Sequence, residues 1–157
     1  LGYHFVPVFK KGVKGQYQLV VSAKSRKAFK RKLKELTRKT TPISFAERIR
    51  RINRLVRGWL NYFKLANIHG KLQALDSWLR KRLRYCIWHH WKKPERKRKN
   101  LMRLGVNPED AYPWSRTRMG GWRVAQSPIL KTPITLARLK KRGYIAMLEL
   151  YHQIRPM

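Results

Sequence analysis

The sequence predicts a mainly α protein: a small helical bundle, preceded by a β-hairpin and followed by a basic helical extension. Three observations carry this. Residues 45–63 place apolar side chains at helical spacing over about five turns. Residues 2–21 hold two β-prone runs around a glycine-bounded turn. The chain has 39 Lys+Arg against 7 Asp+Glu, a formal net charge of +32. Such an excess repels itself unless a polyanion is bound, so nucleic acid is the default partner. Hydrophobic residues make up 43% of the 157, including six Trp, so a core can be buried and the chain is not a disordered basic tail.

Gly2 to Phe9 alternates loosely and is aromatic-rich. Lys10-Lys11-Gly12 to Gly15 supplies turn chemistry, and Gln16 to Val21 is a second β-prone run. A lone two-stranded hairpin is marginal in water, so this one is expected to edge a larger sheet lying before residue 1. The chain starts at Leu1, already inside that strand pattern, and reads as a piece of a longer polypeptide. Ser22 and Ser25 are both possible N-caps for a helix to about Arg38, with Phe29, Leu33 and Leu36 on one face and mostly Lys and Arg elsewhere. Thr40-Thr41-Pro42 ends it.

Ser44-Phe45-Ala46-Glu47 has the form of a capping box and opens a helix to about Ala66. Phe45, Ile49, Ile52, Val56, Trp59, Leu60 and Phe63 fall in one stripe about 100° wide, as on a core-facing helix. Arg50, Arg54, Arg57, Asn61 and Lys64 lie opposite. Leu55 and Tyr62 form a smaller apolar edge beside Gly58. A mid-helix Gly costs about 1 kcal/mol against Ala, so a neighbouring backbone is expected close to Gly58. A third helix is predicted from about Lys71 to Lys92, with Leu72, Leu75, Leu79, Leu83, Cys86 and His90 inward. Trp88 and Trp91 project on its far side with Arg80, Lys81 and Arg84.

Pro94 opens a change of composition. Lys92, Lys93, Arg96, Lys97, Arg98, Lys99 and Arg103 face only Glu95, and read as a flexible phosphate-binding segment. Leu101, Leu104 and Gly105 suggest a short helix with a glycine stop. Asn107-Pro108-Glu109-Asp110 is an N-cap, a Pro at N1 and an acidic first turn, for a helix to about Trp114. Residues 115–134 read as irregular, and two last helices, 135–141 and 144–154, hinge at Gly143. The units expected are residues 1–22, 23–92 and 93–157.

Catalytic signatures are missing from the sequence: it has no P-loop, no Gly-x-Ser-x-Gly and no acidic metal motif. An i,i+4 ion pair with Arg80 is the reading preferred for Asp76. Cys86 and His90 stand one turn apart, but two ligands do not make a zinc site, and both fall on the core stripe. A single cysteine allows no intramolecular disulfide and fits a reducing compartment. No apolar run approaches the roughly 18 residues that cross a bilayer, so no membrane is expected as a partner.

The basic faces are the candidate site. Arg50, Arg54, Arg57 and Lys64, with Asn61, form a rail of one sign, where a merely solvated face would mix signs. Lys27, Lys30 and Lys34 on the first helix, Arg80, Lys81 and Arg84 on the third, and the 92–99 cluster complete the set. Trp88 and Trp91 could stack on bases. Packing beneath the C-terminal segment is the preferred reading for both.

Arg57-Gly58-Trp59-Leu60-Asn61-Tyr62-Phe63 resembles the maturase-specific region of group II intron reverse transcriptases, also called domain X or the thumb. Leu1-Gly2-Tyr3-His4-Phe5 looks like the last palm strand of such enzymes. Trp78-Leu79-Arg80-Lys81-Arg82-Leu83-Arg84 continues the thumb. Trp91-Lys92-Lys93-Pro94, Asn100-Leu101, Leu104-Gly105, Gly121-Trp122-Arg123 and Ser127-Pro128 are similar to the segment that follows it. Pro113-Trp114-Ser115 and Gly120-Gly121 depart from the pattern.

The resemblance implies a thumb that binds intron RNA to promote splicing and grips the template–primer duplex. It implies a C-terminal extension that contacts target DNA in retrohoming. Tyr-Ala-Asp-Asp does not occur, so no polymerase activity is expected of this chain by itself. No cofactor is expected in it, since Mg²⁺ would serve the palm and the RNA. The compartment implied is a bacterial cytoplasm or an organelle. Three alternatives stand beside this reading: a DNA-binding module for target recognition, a ribosomal-type structural protein, and a fragment without function.

Overall fold

Val21, Phe29, Leu33, Ile52, Val56 and Leu60 have almost no exposed surface, and they draw a strand end and two helices into one core. The computed structural model describes residues 2–7 and 17–156. The fold is mainly helical, with a two-stranded antiparallel hairpin at its N-terminal end. Strands β1 (Tyr3–Pro7) and β2 (Tyr17–Val21) pair from Tyr3↔Val21 to Pro7↔Tyr17. The turn expected at 10–15 lies outside the described residues.

Among the described residues this sheet has two strands, and the helices anchor it. The Asn67 backbone N–H donates to the Leu19 carbonyl at 2.7 Å, and the Asn67 side chain donates to Gln18 at 2.6 Å. The Tyr3 hydroxyl donates to the Tyr62 carbonyl.

Helix α1 (Ala23–Leu36) starts at Ser22, whose hydroxyl accepts from the Ser25 N–H. Helix α2 (Phe45–Phe63) starts at Ser44, which accepts from the Glu47 N–H at 3.1 Å. The apolar stripe of α2 is buried as its periodicity requires, and Trp59, half-buried, stacks on Phe29 with ring centroids 4.2 Å apart. Gly58 differs from expectation. A Cβ built there meets nothing within 4 Å, so no neighbouring backbone approaches it. The apolar edge beside it divides: Leu55 turns toward the core, while Tyr62 is exposed.

Arg48 is fully buried on α2 and reaches the end of α1. Its guanidinium donates to the Leu36 carbonyl at 2.6 Å and to the Thr41 carbonyl at 3.3 Å. A cation satisfies carbonyls at a helix C-terminus well, by hydrogen bonds and by the helix dipole.

Helix α3 (His69–His90) is the axis of the molecule and packs against α1 and the C-terminal helices. Its expected inward stripe is buried, apart from half-buried His90. Its far side is buried too, and Asp76, Arg84, Ile87 and Trp88 are all enclosed. Elements predicted as loose account for that burial. The 92–103 cluster is a helix, α4 (Pro94–Arg103), with Pro94 in its first turn and Gly105 (φ +101°) just beyond its end. Helix α5 (Pro108–Ser115) is capped by Asn107, which accepts from the Asp110 N–H at 2.9 Å.

The stretch read as irregular folds into two short helices, α6 (Gly121–Ala125) and α7 (Pro128–Lys131). Both are too short for a periodic signal, yet Val124, Ala125 and Leu130 are fully buried. Helices α8 (Leu136–Lys141) and α9 (Met147–Ile154) follow, parted by Gly143 at φ +101°, where a Cβ would lie 3.1 Å from Ile49. The core is continuous from Val21 to Tyr151.

Asp76 does not pair with Arg80. Its carboxylate is buried and accepts from the Tyr144 hydroxyl and the Met147 N–H, both at 2.7 Å, and from the Leu148 N–H at 2.9 Å. Burial, with the Asp76 charge beside it, raises the Tyr144 phenol above its ordinary pKa. Among the described residues no helix is long and apolar enough to cross a membrane.

Candidate nucleic-acid interface

Few acids answer the basic residues. Among the described residues, ion pairs join Glu47 to Arg50 and Arg51, Glu95 to Arg98 and Arg116, and Glu149 to Lys140. Asp76 is spent inside the core. Among the described residues the other basic side chains form no ion pair with an acid, and those on helices stand on faces set by the helices that carry them.

On the outer face of α2, Arg50, Arg54, Arg57 and Asn61 are exposed and Lys64 is half-buried. They follow one another at steps of three and four, so the core stripe fixes their direction. Arg50 is the least available, since Nε and Nη2 both donate to Glu47, at 2.7 and 2.6 Å. Arg54 and Arg57 make no ion pair among the described residues.

The hydrogen bond from Arg50, then that from Arg51, pulls the Glu47 carboxyl down to about 2 from its ordinary 4.5. Glu95, held chiefly by Arg98, is likewise pulled down to about 2. Both folded pKa values lie below the unfolded ones, so these pairs stabilise fully above about pH 4.5 and lose that effect as pH falls toward 2. The thermal midpoint should therefore drop through this window. In Glu47→Gln the drop should be shallower, as circular dichroism melts at pH 5, 4 and 3 would register.

A second face lies between α1 and α3. Lys27, Lys30, Arg31 and Lys34 are exposed along α1. Opposite stand Trp78, Arg82 and Tyr85 of α3, with Trp122 of α6, and the groove between has a volume of about 600 Å³. Arg82 is pinned at its floor. Nε donates to the Thr37 hydroxyl and Nη2 to the Thr37 carbonyl, both at 3.0 Å. Burial lowers the Arg82 pKa.

Other predicted contacts fare differently. Arg84 is not at the surface; it is buried and its Nε donates to the Ile134 carbonyl at 2.8 Å, because the C-terminal segment covers that side of α3. Arg80 and Lys81 are half-buried. Lys92, Lys93, Arg96 and Lys99 are exposed around α4. Lys97 lays its ammonium 4.5 Å from the Trp88 ring centroid, and burial lowers its pKa. Arg98 is held by Glu95 and by the Met102 sulfur at 3.2 Å. Trp88 and Trp91 are buried and edge-on to each other, so they pack rather than present open faces.

The Cys86 thiol donates to the Thr37 carbonyl at 3.2 Å, and burial raises its pKa. Among the described residues no three His, Cys, Asp or Glu side chains are grouped for a metal ion.

Sequence reading missed Arg31, Trp78, Arg82, Tyr85 and Trp122. Trp78, Arg82 and Tyr85 stand at i, i+4 and i+7, a helical face visible in the sequence. Trp122 lies far from them along the chain, and nothing local announces their meeting. A comparison with curated proteins finds no match. The profile of a family described as "Group II intron, maturase-specific domain" matches residues 26–105, just over half of the chain.

Proposed function

The chain belongs to the group II intron maturase-specific family, and from that premise we propose that it binds intron RNA and promotes splicing by neutralising RNA phosphates. The observation that carries this reading is the pair of exposed basic faces, on α1 and on α2, with little acid to answer them. Each cation that meets a phosphate releases condensed counterions, which favours the compact RNA. The deep groove of an A-form helix hides base edges from side chains, so recognition proceeds by shape and by loops.

The residues proposed to touch RNA are Lys27, Lys30, Lys34, Arg54, Arg57, Asn61 and Lys64, with Arg50 contributing less because Glu47 shares it. Residues 23–92 form the thumb in this reading, and residues 1–22 belong to a palm. In a parent polymerase the same faces would grip template–primer duplex. Residues 93–157, through Lys93, Arg96, Lys97 and Lys99 at their start and with the adjoining Lys92, would add contacts to target DNA.

The test is a splicing assay. A group II intron RNA that splices slowly at low Mg²⁺ should splice faster when the chain is added at stoichiometric concentration. An unchanged rate, with the protein folded and in excess, would remove the proposal.

A further inference from the structure

The groove between α1 and α3 differs chemically from a phosphate rail. Three of its walls are aromatic. The Arg82 guanidinium carbon lies 5.5 Å from the ring centroids of both Tyr85 and Trp122, and 5.9 Å from that of Trp78. The Lys30 ammonium lies 4.8 Å from the Trp78 centroid. Trp78, Tyr85 and Trp122 are each half-buried, so each offers surface to the groove.

The chain is shaped to keep this arrangement. Gly121 permits α6 to rest on Tyr85, since a Cβ there would come 2.9 Å from Tyr85 Cε1. That approach sets Trp122 edge-on to Tyr85, at 78° and 5.7 Å. Arg82, fixed by Thr37 and the Lys34 carbonyl, cannot swing away without losing three hydrogen bonds. A groove of about 600 Å³ is within the roughly 300–1,000 Å³ of small-molecule sites.

We propose that this groove receives unpaired RNA bases, stacked against Trp78, Tyr85 and Trp122, while Lys27, Lys30, Arg31 and Lys34 hold the flanking phosphates. A base inside a duplex has both faces covered, so an aromatic wall gains nothing from it. An unpaired base presents a free face, and any of the four bases can use it. Guanidinium planes stack on bases as aromatic rings do, which gives Arg82 a place in the same array. Beyond Tyr85 the surface continues into a second depression, lined by Lys39, His89, Lys92 and Lys97. A strand leaving the groove therefore meets more positive charge. This inference rests on the RNA-binding reading above and specifies which part of an RNA the α1–α3 face takes: loops and single strands rather than helices.

The test compares a twelve-nucleotide ribo-oligonucleotide with the same strand carrying abasic sites in its centre, both titrated into the full chain by fluorescence anisotropy. Charge and length are equal, so only stacking differs. The intact strand should bind roughly tenfold more tightly or better. In Trp78→Leu/Trp122→Leu the ratio should fall toward one. A 2-aminopurine placed at the central position gives a readout that needs no variant, because stacking on the unaltered protein should quench its emission. A deoxy strand run in parallel distinguishes the two kinds of strand, and a ratio on it exceeding that on RNA would overturn the assignment to RNA.

Equal, strongly salt-dependent binding of intact and abasic strands, without quenching, would end the groove proposal and leave the phosphate reading standing. Intron RNA failing to bind at all would end the broader reading instead.

Discussion

Asp76→Ala should lower unfolding free energy by roughly 3–5 kcal/mol, the low end of the cost of orphaning three buried donors and a large fraction of the roughly 5–15 kcal/mol of an ordinary domain. Helix α9 begins at Ala146, which has no side chain to cap it. The cap is supplied by Asp76 from α3, through the Met147 and Leu148 N–H groups. Truncation leaves both donors and the buried Tyr144 hydroxyl without their carboxylate, at roughly 1–3 kcal/mol for each orphaned group. The negative charge at the helix N-terminus goes as well. Asp76→Asn should cost less, since its carbonyl still accepts while its amide faces donors. Urea unfolding of both variants measures the loss, and hydrogen exchange at Met147 and Leu148 localises it. A loss below about 1 kcal/mol for the alanine variant would mean that α9 is held by its apolar contacts alone.

Arg54→Ala/Arg57→Ala should weaken binding to intron RNA about thirtyfold at 0.1 M salt. Both side chains are exposed on α2 and form no ion pair among the described residues, so nothing inside the fold depends on them. Two charge-assisted contacts at roughly 1 kcal/mol each give that factor. The control removes the same charge elsewhere: Lys131→Ala/Lys141→Ala, exposed residues at the far end of the chain. If the proposed rail makes the contact, the control should change affinity only a few-fold. Equal losses would mean that total charge, not the α2 face, governs binding.

The parts of the fold that could be read from sequence are those with local causes. Ser22, Ser44 and Asn107 cap as their types and positions require, and Gly105 and Gly143 take the positive φ that ends or turns a helix. The α2 stripe was legible because a single apolar face recurs over its whole length. Helix α3 was half legible. Its second face is buried only because α6, α7 and α9 fold back on it, and those contacts join residues more than thirty apart in sequence. Hence Arg84 looked like a surface base and Asp76 like a surface acid. Gly58 misled in the opposite direction, since a local oddity need not mark a contact.

The candidate site divides in the same way. Its basic faces follow from helical spacing, whereas the aromatic groove depends on Gly121 bringing a distant tryptophan to α3.

The most direct measurement is the salt dependence of binding between the unaltered chain and a structured group II intron RNA. If the α1 and α2 faces neutralise six or more phosphates, log affinity should fall against log salt with a slope of about −4 or steeper, at roughly 0.7–0.9 per contact. A slope shallower than about −2 would contradict the account.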